Sequence, residues 1–341
     1  MTLENLIFIF LAVLSYGGIS WIRPWLERRR IVDRPNRRSS HSRPTPRGGG
    51  LAIVVLTLGT VVAFSLATHS WRQSGIYLGV GAALAGLGWR DDIKSLPSIF
   101  RFSVHSAAAL LTILGLGYFE SVSIPLLGEL KFGALGMPIT FLWIIGLTNA
   151  YNFMDGIDGM AGGVALAAGL GWMLLSSANG GLPNDLAFWV ALAVAASSLG
   201  FLMHNWTPAR VFMGDVCSTF LGYTFAVLPL FSARAGGDAL LLGTTVMWAF
   251  ILDTSLTFLY RFFRRENAFA AHLSHLYQRL VSRGHPHAAV SALYIFLTLL
   301  GSFLAFGWTH AYPAVPFLIL IGLPLLWILL LWYAARKTNA R

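Results

Sequence analysis

Phe141-Leu142-Trp143-Ile144-Ile145-Gly146-Leu147 leads, through Thr148, into Asn149-Ala150-Tyr151-Asn152-Phe153-Met154-Asp155-Gly156-Ile157-Asp158-Gly159. The first part is the apolar run of a membrane helix. The second carries Asn, Asn, Asp and Asp at every third position. Amides and carboxylates at a membrane edge are costly to hold, so they mark a site that handles ions or a charged substrate. Two expectations follow: a membrane-spanning helical bundle, and chemistry on charged groups where one of its helices meets water.

The rest of the chain agrees. It is 341 residues long, 56% hydrophobic and 11% charged, which is the composition of a polytopic membrane protein. A single cysteine, Cys217, excludes an intramolecular disulfide and a multi-cysteine metal centre. The net charge of +10 comes with no nucleic-acid motif. It is read as basic loops facing anionic membrane lipid, with no nucleic acid as partner. Met1–Asn5 has Glu4 and no Lys or Arg, so the first apolar run is expected to be a span and not a cleaved signal.

Spans need about 20 mostly apolar residues. Eleven candidates appear, at roughly 5–22, 48–67, 75–89, 102–117, 135–151, 160–177, 187–203, 216–233, 239–260, 289–309 and 314–334. No linker separates a second domain, so 1–341 is read as one membrane domain. Of the 24 Lys and Arg, all but Arg72, Lys131 and Arg234 fall in one set of alternate loops and the C-terminal tail. The positive-inside rule puts that set in the cytoplasm, with the N-terminus outside and the C-terminus inside. Asp91, Asp92, Asp155, Asp158, Asp215, His272 and His275 then all lie on the cytoplasmic side, where soluble nucleotides are found.

Several clusters carry candidate chemistry. In Asp91-Asp92, adjacent helical side chains point about 100° apart, so one carboxylate can face a metal or proton while Lys94 holds the other. Steps of three advance about 300° on a helix, so Asn149, Asn152, Asp155 and Asp158 cannot all line one site unless the helix breaks. Gly156 and Gly159 permit a break there. Asn oxygens and Asp carboxylates are hard donors suited to Mg²⁺, or Mn²⁺ in its place, with phosphate and water completing the shell. Phe212-Met213-Gly214-Asp215 opens a span and combines an aromatic ring for a base with a candidate metal ligand; the same Asp also suits a plain helix cap. His272 and His275 sit in the Arg-rich loop 261–288, where imidazoles suit phosphate; no H-E-x-x-H accompanies them. The loop 37–50 holds His41, Arg47 and Gly48-Gly49-Gly50 ahead of a helix, which suits either a phosphate or lipid head groups. Asp253 and His105 lie at depth within spans, and Asp253 needs a partner.

Taken together, these residues resemble the polyprenyl-phosphate N-acetylhexosamine-1-phosphate transferases (glycosyltransferase family 4), which include the O-antigen-initiating enzymes and the phospho-MurNAc-pentapeptide translocase. The resemblance runs from about Arg34 to about Arg283, on Asp91-Asp92-Ile93-Lys94, the Asn149–Gly159 run and Phe212–Asp215. It implies transfer of a sugar-1-phosphate from a UDP-N-acetyl sugar to undecaprenyl phosphate, with Mg²⁺, in the bacterial inner membrane. It also implies roles. Asp215 and Asn152 would hold the metal. Gly156, Ile157 and Asp158 would meet uridine, with Phe212 against uracil. Asp91 or Asp92 would orient or deprotonate the lipid phosphate beside Lys94 and Arg101, and His272 and loop arginines would hold diphosphate or sugar. Asp155 completes the candidate catalytic set; Asn149, His275, His41 and Arg47 complete the candidate substrate contacts. The family's denser H-x-H-H cluster is interrupted here by Ser274, which resembles the O-antigen subgroup able to use 6-deoxy-N-acetylhexosamines.

Two other classes are weighed. A transporter or flippase of lipid-linked sugars would line a path across the bilayer with polar groups, whereas the acids here crowd one side. A CDP-alcohol phosphatidyltransferase would carry D-G-x-x-A-R, and Met160-Ala161-Gly162 supplies no Arg. A homodimer is compatible with the sequence, which places no seam for it.

Overall fold

The structure is a computed structural model describing residues 2–33, 44–178, 185–231, 237–266 and 274–336. His41 and His272 lie outside the described residues. The long helices are α1 (Leu3–Arg28), α2 (Leu51–Thr68), α3 (Arg72–Ile93), α4 (Ser98–Leu116), α5 (Gly136–Met154), α6 (Met160–Ala178), α7 (Leu186–Asn205) and α8 (Asp215–Phe231). They are followed by α9 (Asp238–Val246), α10 (Trp248–Phe263), α11 (Leu276–Ser282) and α12 (His287–Thr309). A last helical span, α13, covers Val315–Ala335, with a π turn at Leu318–Gly322. Two small antiparallel ribbons complete it: β1 (Val32–Asp33) with β2 (Thr45–Pro46), and β3 (Ser121–Ile124) with β4 (Gly128–Lys131).

All eleven apolar segments read from the sequence are helical, and the chain is a multi-pass membrane protein. Eleven spans are expected from the sequence; among the described residues, eight helices are long and apolar enough to cross a membrane, or nine if a bent pair counts as one span, with α8 too short at 17 residues. The expected straight span at 239–260 is corrected here. It breaks at Met247 into α9 and α10, bent by 82°. The bend carries Asp253 of α10 to the backbone N–H groups that open α11, sparing it an unpaired place in hydrocarbon. The segment 261–288, expected to be a loop, contains α11.

The short α8 is the axis of the bundle. Nearly every residue from Val216 to Phe231 is buried, and it packs chiefly on α3 and α5. Buried polar pairs fix its rotation: Tyr77 with Thr224 at 2.9 Å, Thr112 with Tyr223 at 3.1 Å, and the Trp143 indole N–H donating to the Ala226 carbonyl at 2.9 Å. By contrast α1 and α13 present long apolar faces outward, including Phe10, Trp21, Leu325 and Trp332, as a lipid-facing helix does. The ribbon β3–β4 joins the end of α4 to the start of α5, and the Ser123 N–H donates to Gly237 O ahead of α9 at 2.7 Å. This marks one end of the bundle. The cluster around Asp215 lies at the other.

Candidate active site

At that other end, α2, α4 and α8 begin while α3 and α5 finish. The β1–β2 ribbon delivers Arg47 to this end. Pro46 O accepts the Phe212 N–H at 2.7 Å, and Arg47 bridges to Phe212 in parallel. The three glycines that follow do not present their N–H groups to a ligand, as the phosphate reading expected. Gly48 and Gly49 donate to Phe212 O at 3.2 and 3.0 Å, and Gly50 to Met213 O at 3.0 Å. They stitch the start of α2 to the Phe212–Asp215 loop.

Asp92 closes the same joint from α3. Its two oxygens accept the N–H groups of Asp215 and Val216 at 2.9 and 3.0 Å, capping α8 from another helix. Two glycines allow the approach. A Cβ on Gly88 would stand 2.2 Å from Asp215 O, and one on Gly214, whose φ is +80°, would stand 2.5 Å from an Asp92 oxygen. Asp92 also takes Arg47 Nε at 2.6 Å.

Asp215 is where the charges cross. Oδ1 accepts from Arg47 Nη2 at 2.5 Å and from the Asn152 amide at 3.1 Å; Oδ2 faces Arg101 Nη1 at 3.5 Å. Arg101 also reaches Asp91 at 2.9 Å, and Asp91 accepts the Leu96 N–H at 2.5 Å, fixing the turn between α3 and α4. Burial works against the Arg47 guanidinium, but Asp215 and Asp92 outweigh it and hold its pKa above the ordinary value. Lys94, expected beside the acids, is exposed at the end of α3 and takes no part in these ion pairs.

The Asn149–Asp158 series divides as helix geometry requires. Helix α5 stops at Met154. Asn149 donates to Ile145 O at 2.8 Å and lies beside the buried His105, whose Nδ1 has no hydrogen-bond partner among the described residues. Asn152 donates to Asp215 and, at 2.8 Å, to Ser218. Asp155 follows, half-buried. Alone of the four cluster carboxylates, its side chain makes no hydrogen bond or ion pair among the described residues. Burial pushes its carboxyl up to about 7, with Asp215 and Asp92 adding to the effect and Arg47 opposing it. Asp158 lies beyond the break. It accepts the Ala209 N–H at 3.0 Å, faces His287 Nδ1 at 3.6 Å, and its carbonyl accepts from Ser291 at 2.7 Å. It anchors the turn to α12 and does not join the Asp215 cluster. Ile157 is buried, Gly156 is exposed against Tyr277, and Phe212 is half-buried beside Arg47.

His275, expected at substrate, is 4% exposed, and its Nδ1 faces Asp253 at 3.2 Å. Asp253 also accepts from Leu276 N–H at 2.8 Å and Tyr294 OH at 2.5 Å. This second carboxylate centre binds α10, α11 and α12 together. Sequence reasoning also missed Asn205. It accepts the Gly159 N–H at 3.0 Å and donates to Val211 O at 2.9 Å, tying two candidate loops; a lone Asn at a helix end gives no signal of this.

Among the described residues, Asp91, Asp92, Asp155 and Asp215 face two cations, Arg47 and Arg101, so these six groups together carry excess negative charge. No three His, Cys, Asp or Glu side chains converge as a ready-made metal cage among the described residues. The donors present are oxygens of Asp215, Asn152 and Asp155. They are of the hard kind Mg²⁺ accepts when one or two carboxylates and a substrate phosphate share the ion.

The fold and this cluster define a multi-pass membrane protein whose charged site is built at one end of a helical bundle around a central buried helix. Residues 74–233 match the model of glycosyl transferase family 4. A Bacillus subtilis (strain 168) protein described as a "probable undecaprenyl-phosphate N-acetylglucosaminyl 1-phosphate transferase" is 33% identical over 269 residues, covering 78% of this chain and 74% of its own. A decaprenyl-phosphate N-acetylglucosaminephosphotransferase of Mycobacterium leprae is 30% identical over 331 residues, covering 87% and 80%. A phospho-N-acetylmuramoyl-pentapeptide-transferase of Chloroflexus aurantiacus is 33% identical over 248 residues, covering 66% of each chain. The chain belongs to glycosyl transferase family 4.

Proposed function

We propose that this protein transfers N-acetylhexosamine-1-phosphate from a UDP-sugar to undecaprenyl phosphate, releasing UMP. The observation that carries the reading is Asp215, met by two arginines and by Asn152, beside an Asp155 carboxylate with no hydrogen bond or ion pair among the described residues. A lipid-phosphate oxygen attacks the phosphorus bonded to the sugar. The bond from that phosphorus to the oxygen bridging it to the UMP phosphate breaks, and the product is a lipid diphosphate sugar. Such transfer depends on positioning and on neutralising charge spread over phosphate oxygens.

Asp215 and Asn152 would hold Mg²⁺, which supplies that neutralisation at the diphosphate. The Arg47 guanidinium now on Asp215 would then turn to a phosphate oxygen. Arg101, with His105 and Asn149 one turn deeper, is placed for the lipid phosphate. The turn Gly156–Ile157 and Phe212 face the nucleotide. Asp155 orients or deprotonates an acceptor; Asp91 and Asp92 act by holding Arg101 and the start of α8.

The names of the relatives, two of them N-acetylglucosamine-1-phosphate transferases, favour UDP-N-acetylglucosamine as donor. Ser274 favours a second reading, a 6-deoxy-N-acetylhexosamine that initiates a cell-envelope glycan such as O-antigen. The distribution of Arg and Lys supports a cytoplasmic site in a bacterial inner membrane. The test is UMP release by purified protein with undecaprenyl phosphate, Mg²⁺ and a panel of UDP-N-acetyl sugars. Lipid-dependent UMP is expected. Lipid translocation without UMP from any donor would instead favour a flippase.

A further inference from the structure

The turn between Asp155 and Asp158 is held by a residue more than a hundred positions away. Tyr277, in the first turn of α11, is 2% exposed, and its hydroxyl donates to the carbonyl of Phe153 at 3.2 Å. Phe153 is in the last turn of α5, where carbonyls have no partner within the helix. The same hydroxyl accepts from the Gln278 amide at 3.1 Å, so both its donor and acceptor capacities are used. It also fills the space over Gly156. A Cβ there would stand 2.0 Å from the hydroxyl oxygen and 2.8 Å from the ring carbon that bears it.

Tyr277 is itself fixed from two other helices. Asp253 of α10 accepts the N–H groups of Leu276 and Tyr277 at 2.8 and 3.5 Å, and takes Tyr294 OH of α12 at 2.5 Å. The ring stacks on His275, with centroids 5.7 Å apart and planes 17° from parallel. A chain of contacts therefore runs from Asp253 through the α11 N-terminus and Tyr277 to the end of α5. The Asp155 side chain, with no hydrogen bond among the described residues, takes its direction from this backbone.

We propose that Tyr277 is a positioning residue of the transferase: its hydroxyl sets the backbone of the Asp155–Asp158 turn, and so the placement of the Asp155 carboxylate and of the nucleotide contacts at Gly156 and Ile157. This rests on the transferase reading above. Tyr277 touches neither substrate, and acts through Phe153 and Gly156.

The test pairs Tyr277→Phe with Tyr277→Leu. In Tyr277→Phe, kcat/KM for the UDP-sugar is expected to fall about 10-fold, because small misplacement of reacting groups is expensive. KM for undecaprenyl phosphate stays within twofold of the parent, and thermal stability in detergent falls by a few degrees only, since the net contribution of a lost hydrogen bond is about 1 kcal/mol. The steric contact gives an independent readout. Gly156→Ala should cost less activity in the Tyr277→Leu background than in the parent, as coupled neighbours do. If Tyr277→Leu does not fold, Tyr277→Phe still decides. If the parent shows no turnover, the transferase reading fails, and amide exchange decides the positioning claim separately: protection at 154–158 should drop in Tyr277→Phe. Unchanged exchange there, or unchanged kinetics in an active enzyme, overturns the proposal.

Discussion

Asp215 and Asp253 are both carboxylates withdrawn from water, one at the head of α8 and the other within α10. Their partners differ in kind. Asp253 accepts from backbone N–H groups of α11, from Tyr294 and from His275, so its lone pairs are spent on fixing three helices. Asp215 is met by two arginines and an amide, with Asp92 and Asp155 close enough to add repulsion. A buried acid whose oxygens are taken up by backbone N–H groups, a tyrosine and a histidine of neighbouring helices is a structural device. One crossed by cations amid excess carboxylate is poised to exchange a partner for a ligand. The molecule holds both, and burial alone does not separate them.

The largest effect tests that contrast directly. Asp215→Ala is expected to lower UMP release by about 10³-fold or more, as loss of a group that organises transition-state charge does. The protein should still insert and fold, since Asp92 continues to cap α8. Asp253→Ala should do the reverse. It strands the α11 N–H groups and the Tyr294 hydroxyl, at about 3 kcal/mol, with activity lost in step with the folded fraction in a thermal-denaturation assay. Equal loss of folded protein in both variants would erase the distinction.

Metal removal is next. EDTA should abolish turnover, and Mg²⁺ should restore it, since the cluster's charge is uncompensated by its own arginines. Retention of full activity in EDTA would mean that Arg47 and Arg101 suffice at the diphosphate.

Asp155→Ala sharpens the comparison further. A carboxylate without partners contributes little to folding, so its removal should leave thermal stability unchanged or raised. Activity should fall about 10²-fold, the scale of a single acid–base or orienting group. A marked drop in stability would place Asp155 with Asp253 as structure.

Much of this was legible beforehand. Apolar length placed all eleven helical segments, and the polar triplet spacing with Gly156 and Gly159 allowed for the break found after α5. What escaped has a common cause. Asp92 caps a helix 123 positions away, Tyr277 caps α5 from 124 away, and Asn205 ties Gly159 to Val211. In each case the side chain is ordinary and only tertiary placement gives it work. The bend at Met247 escaped for a related reason: hydropathy over 239–260 is continuous, and the cost of a straight helix lies in the single buried Asp253. The same blindness made Gly48–Gly50 look like a phosphate cradle, because sequence shows N–H donors but not the Phe212 and Met213 carbonyls that take them.

The smallest effect concerns pH. Burial favours the neutral form of the Asp155 carboxyl and pushes its pKa up to about 7. If the ionised form serves the reaction, activity should decline as pH falls through about 7, halving near that value, since the carboxylate is lost there and not near the usual carboxylate range. Raising Mg²⁺ should move the acid limb downward, because a nearby cation favours the ionised form. The measurement is kcat/KM for the UDP-sugar between pH 5 and 9 at two Mg²⁺ concentrations. A profile flat down to pH 5 would mean that the acceptor phosphate arrives already ionised and that Asp155 acts through its fixed position, not its protonation.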